Sequence, residues 1–265
     1  MSALSYHRPA SLAEAARLAG GDPDTRFLAG GQSLLPSVKL GLLMPTAFID
    51  LAGIGELQGI RADGKSVTIG AMTTHAAVAA SREVRAKIPA LAELAESIGD
   101  AQVRNRGTLG GSVANSDPAA DYPAAVLALN ASIRTGKRTL AADGFFTGLF
   151  STALDPGELI VAIEFPVPAQ GAYVKFPQPA SRFALVGVFV ARTAGGVRVA
   201  VTGAGPCVFR VAALEEALAR TFTPRACEGI RVPAETLNTD IHGSAEYRAH
   251  LIPVLTARAV QQMLR

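Results

Sequence analysis

Residues 99–123 read GDAQVRNRGTLGGSVANSDPAADYP, and the interpretation of this stretch decides the fold. Glycines stand at 107, 110 and 111, hydroxyls at Thr108 and Ser112, and acids at Asp117 and Asp121. The first half shows no period of two or of 3.6, so it predicts neither an ordinary strand nor an amphipathic helix. Apolar helical segments at 88–98 and 123–129 lie on either side. An interior loop of this kind must satisfy its own backbone polar groups or have a ligand do so. Adjacent glycines let the main chain come close to a ligand and adopt positive φ, and successive free N–H groups in such a turn form an anion site.

Taken alone, a Gly-Gly pair reads as a tight turn. A second stretch changes the weighting: residues 27–36 are FLAGGQSLLP, again an apolar run, a Gly-Gly pair at 30–31 and a hydroxyl at Ser33. Two nests facing one another suit a diphosphate better than a single phosphate. Neither is a Walker loop, since no Gly-Lys-Ser/Thr follows, and neither has the third glycine of a Rossmann fingerprint. What remains is a dinucleotide held by two loops on a non-Rossmann scaffold.

A chain of 265 residues can bury most of its unfolded surface, as one large domain or two to three small ones. Its 49% hydrophobic content fits a compact cytoplasmic protein and excludes a disordered one. A net charge of +3, dispersed along the chain, gives no nucleic-acid footprint. The longest apolar run, 183–191, is too short to span a bilayer, and no secretion signal opens the chain. Cys207 and Cys227 form no CxxC, and the histidines at 7, 75, 242 and 250 are scattered, so no metal or cluster ligand set assembles.

In chain order, Ser11 and Glu14 predict a capped helix ending at Gly20-Gly21, and strands follow at 26–29 and 48–51 around a helix at 34–42. Residues 66–70 alternate as a strand, Thr73-Thr74 cap a helix at 75–80, and 84–98 reads as one helix. His75 reads as a polar first-turn residue, because no acid lies at useful spacing. Arg104 and Arg106 read as a solvated basic edge, with a phosphate or partner-subunit contact as the alternative. Strands at 131–134 and 159–165 enclose a helical piece at 145–150, and prolines 166 and 168 mark a boundary. Beyond it, strands at 172–176, 185–191 and 197–202 precede helices at 211–220, 223–228 and 244–264, an α+β arrangement. The Gly203-Ala-Gly205 turn reads as structural, because Pro206 interrupts it and position 208 is Val. The domains read as 1–54, 55–167 and 168–265.

The segments AGGQSLLP at 29–36, QVRNRGTLGGSVANSDPAADYP at 102–123, VTGAGP at 201–206 and DIHGSAEYRAHL at 240–251 carry a resemblance. The chain resembles, nearly end to end, the FAD-binding medium subunit of molybdenum hydroxylases, a group with carbon monoxide dehydrogenase-like and xanthine dehydrogenase-like members. The resemblance implies an FAD fold of the p-cresol methylhydroxylase type in two subdomains, followed by a C-terminal α+β domain. By the same resemblance, Ala29, Gly30, Gly31, Gln32, Ser33 and Leu34 would offer backbone N–H groups to the diphosphate from one side. Thr108, Gly110, Gly111 and Ser112 would do so from the other. Asp121 would accept from the cofactor's hydroxyl or ring N–H groups, and Ile98, Leu109 and Ile160 would pack on it. Lys175 matches a lysine near the flavin, and Phe183 an aromatic residue over its ring. The family pattern after Lys175 has an acid where this chain has Arg182.

The resemblance further implies a dimer of heterotrimers with an iron–sulfur small subunit and a molybdopterin large subunit, in which this chain relays electrons to an external acceptor. The sequence itself offers no nucleophile elbow, Ser/His/Asp set or paired carboxylates, so no catalytic residue and no metal ligand are named. A free-standing FAD oxidoreductase and a cofactor-less scaffold of the same fold stay open as alternatives.

Overall fold

The computed structural model describes residues 4–265. The chain builds three main sheets in sequence. The first is parallel, with strand Ala47–Asp50 between Ser5–His7 and Thr25–Leu28. Parallel neighbours need crossovers, and helices Leu12–Ala19 and Leu34–Lys39 supply them. Ser11 caps the first helix by accepting the Glu14 N–H, while the Glu14 carboxylate accepts from Ala10 N–H. The strand Ser5–His7 escapes the sequence reading because all three of its residues are exposed and carry no alternation.

The second sheet runs Ile60–Ala62, Ser66–Gly70, Ile160–Pro166, Ser132–Thr135, Thr139–Ala141, with every pairing antiparallel. Six helices accompany it, and side chains such as Ile69, Leu91, Leu94, Val113, Val126 and Ile163 merge into one core with it. The predicted helix at 84–98 is two, Arg82–Lys87 and Pro89–Glu96. Pro89 opens the second, because proline lacks the N–H that would continue the first and disfavours helical φ/ψ at Ile88. The piece at 145–150 is not helical: Phe146–Gly148 and Ser151–Thr152 pair as a small hairpin, with Phe150 left-handed at φ 49° in its turn.

The third sheet is antiparallel in the order Gln170–Pro177, Ala184–Thr193, Gly196–Thr202, Phe209–Arg210. Strand Ala184–Thr193 is buried on both faces. Val186, Val188 and Val190 join a core with the helices Ala212–Arg220 and Ala245–Met263, while Phe189 and Ala191 belong to the core of the second sheet. The segment 223–228 holds a 3-10 turn, Pro224–Cys227, in place of the predicted helix. No helix of the described residues is long and apolar enough to cross a membrane.

Candidate functional site

The central stretch does not stay a loop. Asp100 accepts the Val103 N–H and opens helix Ala101–Arg106; Thr108 accepts the Gly111 N–H and opens helix Leu109–Asn115. Two capped helices of six and seven residues are too short to show a periodicity through Gly, Asn and Ser. Downstream, Thr202 Oγ1 donates to the carbonyls of Pro118 and Ala120, and Gly203 N–H donates to Pro118, so the third sheet props the end of this stretch.

A cavity of about 540 Å³ opens where the three parts of the chain meet, within the range of small-molecule sites. Every residue of 29–34 lines it, as do Ile98, Thr108, Gly110, Gly111, Ser112, Asp121, Ile160 and Phe183. Leu109 and Lys175 do not. Leu109 is wholly buried in the core and its N–H donates to Thr73, so packing on a ligand is not its place. Lys175 lies behind the wall: its ammonium is 2.8 Å from Asp121 Oδ1 and donates to the carbonyls of Ser97 and Arg182, both at 3.0 Å.

The two glycine turns differ in what they offer. The N–H groups of Gly30, Gly31, Gln32 and Ser33 have no acceptor in the chain among the described residues. On the other side, Gly110 N–H donates to Ala71, Ser112 N–H to Thr108, and Gly111 N–H to the Thr108 hydroxyl. The expectation of two equivalent donor loops is therefore corrected: of the four residues expected to donate from the second turn, Gly110, Gly111 and Ser112 already have acceptors within the chain. Its glycines serve close packing instead. A Cβ on Gly110 would fall 2.5 Å from Ala71 Cβ and 2.8 Å from its Cα. In the first turn, a Cβ on Gly30 would fall 2.0 Å from the Arg106 carbonyl oxygen and 2.8 Å from Gly107 Cα. The two turns thus touch backbone to backbone. Gly31, at φ +72°, makes the bend.

Asp121 is buried, and Tyr173 Oη donates to it at 2.6 Å beside the Lys175 contact. Burial raises its carboxyl, and Lys175 works against that rise. Burial also raises Asp117, partly offset by the Ala119 N–H. Glu158 lines the cavity as well, but Arg138, Thr135 and the Asp155 N–H hold its oxygens and lower it to about 2. Arg104, read as an edge residue, donates inward to the carbonyls of Ile98 and Gly99; Arg106 stays exposed. At the mouth, Ser181, Arg182 and half-exposed Phe183 form part of the wall. Arg182 is left-handed at φ 62° and donates to Gly99.

Sequence reasoning missed His75 as a wall residue. It occupies the first turn of helix His75–Ala80, as read, yet only 5% of it is exposed and it lines the cavity. Burial first, then the charge of Arg104, lowers its imidazole to about 4. No local sequence signal gives this place, because it depends on Gly107 packing against the imidazole.

Comparison with known proteins agrees with this geometry. The family described as the FAD binding domain in molybdopterin dehydrogenase matches residues 2–168. The carbon monoxide dehydrogenase medium chain of Hydrogenophaga pseudoflava is 38% identical, over 97% of this chain and 96% of its own length. The nicotine 6-hydroxylase medium subunit of Paenarthrobacter nicotinovorans is 35% identical, over 98% and 97%. The solved structure of the Hydrogenophaga pseudoflava carbon monoxide dehydrogenase that lacks its Mo-pyranopterin moiety superposes with a TM-score of 0.89 at 36% identity, covering 98% of this chain and 97% of that one. Quinoline 2-oxidoreductase from Pseudomonas putida 86 gives 0.89 at 30% identity, over 98% and 96%. With an α+β fold matched over almost its whole length, the chain belongs to the family of FAD-binding medium subunits of molybdopterin dehydrogenases.

Proposed function

We propose that this chain is the FAD-carrying electron-transfer subunit of a molybdenum hydroxylase or dehydrogenase, in the three-part division 1–54, 55–167 and 168–265. It would take electrons from an iron–sulfur small subunit, fed by a molybdopterin large subunit, and pass them to an external acceptor, as part of a dimer of heterotrimers. The observation that carries the reading is the row of four free N–H groups at Gly30–Ser33 on the cavity wall. Such a nest is an anion site that fits the diphosphate of FAD.

Bound FAD supplies the redox chemistry, and the chain's residues hold and orient it. Gly30 to Ser33 would bind the diphosphate. Ser112 and Asp121 would meet polar groups elsewhere on the cofactor, and Ile98, Ile160 and Phe183 its apolar surface. The Asp121–Lys175 pair keeps charge on that wall balanced. His75 is a weak base at about 4, poorly matched to removing a proton from carbon near neutral pH, which favours an electron relay over a free-standing oxidoreductase.

The test uses the purified chain. Its heat-released cofactor should chromatograph as FAD, and dithionite should bleach the bound flavin while aldehydes, purines and carbon monoxide do not. Adding the cluster-bearing and molybdenum-bearing subunits should restore bleaching by the complex's own substrate. Reduction by an organic substrate at enzymic rates without partners would replace the relay with the free-standing oxidoreductase.

A further inference from the structure

The rim of the cavity carries charge that cofactor binding leaves unused. Helix Pro89–Glu96 ends at Ser97, and the carbonyls of Ser97, Ile98 and Gly99 collect three cations. Lys175 donates to Ser97, Arg104 to Ile98 and Gly99, and Arg182 to Gly99 at 3.3 Å. Basic groups suit the negative end of a helix. Lys175 is matched by Asp121, but neither arginine has a carboxylate within 4.0 Å among the described residues. Of the carboxylates lining the cavity, Glu158 is paired with Arg138, Asp121 with Lys175, and Asp117 is partly buried. Glu93 shares a neighbouring depression with Arg182 but lies beyond ion-pair distance. The rim at Gly99 is therefore electropositive.

Arg182 is fixed in this place by its own backbone. Its left-handed conformation, at φ 62°, is one that a residue other than glycine keeps only when its surroundings hold it. Here its N–H donates to Gln178 at 2.8 Å and its carbonyl accepts from Lys175 at 3.0 Å, while Gln178 N–H closes the loop on Phe183. The guanidinium has five N–H donors, of which one bond goes to Gly99 among the described residues, and the side chain is exposed. Beside it at the cavity mouth stands Phe183, 48% exposed. A guanidinium with open donors is a site for an anion. We propose that Arg182 docks the external electron acceptor, and that this acceptor is an anion held at the mouth beside Phe183. A rim cation of this kind speeds encounter with an anion and makes the rate depend on salt. The inference rests on the reading of the cavity as the FAD site, but the anion site itself belongs to the protein alone.

The experiment has two arms. In the first, the FAD-loaded chain is reduced with one equivalent of dithionite and mixed in stopped flow with ferricyanide, a trianion, or with hexaammineruthenium(III), a trication. Each ion takes one electron, so two are consumed per flavin, and the two protons of the reduced flavin pass to solvent. Arg182→Glu should slow reoxidation by ferricyanide about tenfold at low ionic strength and speed that by the ruthenium complex, and added salt should shrink both effects. Arg182→Gln should fall between, and Arg182→Lys should keep most of the ferricyanide rate; thermal melts report whether each variant is folded. A change in flavin potential alone would move both rates in one direction, and that result, or unchanged rates in a folded Arg182→Glu, overturns the proposal. In the second arm, hexacyanochromate(III), a redox-inert paramagnetic trianion, should broaden the amide NMR signals of Ser181 to Phe183 in the wild-type chain, with or without flavin, and not in Arg182→Glu. Absence of that broadening in the wild type also overturns the proposal. A chain that holds no FAD would refute the cofactor reading, and the broadening would still decide the anion site.

Discussion

At the scale of single residues, two buried groups write themselves into the pH dependence of stability. The Glu158 carboxyl falls from 4.5 to about 2, chiefly through its bonds to Arg138. The unfolded chain binds that proton first as pH drops, so the stabilisation is complete above 4.5 and is lost as pH falls toward 2. Its size is about 3 kcal/mol at most, and less in practice because Arg138 is 42% exposed. His75, lowered from 6.5 to about 4, acts in a different window. There the unfolded chain is protonated and the folded one is not, so stability declines as pH falls from 6.5 toward 4. Melting temperature against pH should therefore fall in two stages. Glu158→Gln should flatten the lower stage and His75→Asn the upper one; a wild-type profile level between pH 6.5 and 4 would show that His75 is not held neutral.

At the scale of elements, the glycine turns act as joints, and their substitutions should rank by what an added methyl meets. At Gly30 it meets the Arg106 carbonyl at 2.0 Å, and at Gly110 the Ala71 backbone; at Gly111 it meets mainly the Thr108 hydroxyl at 2.8 Å. Overpacking against backbone costs about 1–3 kcal/mol. Gly30→Ala and Gly110→Ala should lower the melting temperature by several degrees and Gly111→Ala by less, with flavin occupancy falling most for Gly30→Ala. An equal or larger effect at Gly111 would mean that its tight contact is not the Thr108 cap. Much of this was legible beforehand: the turn at 29–34 and the hydroxyl caps at Ser11 and Thr74 follow from local chemistry. What the sequence hid was tertiary. That Gly110 and Ser112 satisfy their own N–H groups depends on Ala71 and Thr108, and His75 became a wall residue only when Gly107 folded against it. Likewise, the helical character of 101–106 and 109–115 rests on Asp100 and Thr108 caps within a stretch too polar and glycine-rich to show a repeat.

At the scale of the whole molecule, the family match ends at residue 168 but the core does not. Tyr173, Phe189, Ala191 and Ala200 of the third sheet, with Val208 just before its last strand, pack into the same core as the second sheet and its helices. Thr202 and Gly203 hold the end of the central stretch. Removing residues 169–265 would expose that apolar face and release Asp121 from Tyr173 and Lys175. The complete chain should melt in one cooperative transition. A fragment of residues 4–168 should bind a hydrophobic dye, melt without cooperativity and fail to take up FAD; a sharply melting, yellow fragment would show that the third sheet is dispensable.

The buried pair of Asp121 and Lys175 has a consequence for descent. One partner sits in the central stretch and the other in the third sheet, and both side chains are at most 8% exposed. Losing either alone strands the other as an uncompensated buried charge, at a cost of about 3–5 kcal/mol, whereas exchanging both for apolar residues avoids that penalty and leaves the Tyr173 hydroxyl to be satisfied. Single steps away from the pair are closed and only the double step is open. Two positions 54 residues apart in the chain are thus constrained as one unit.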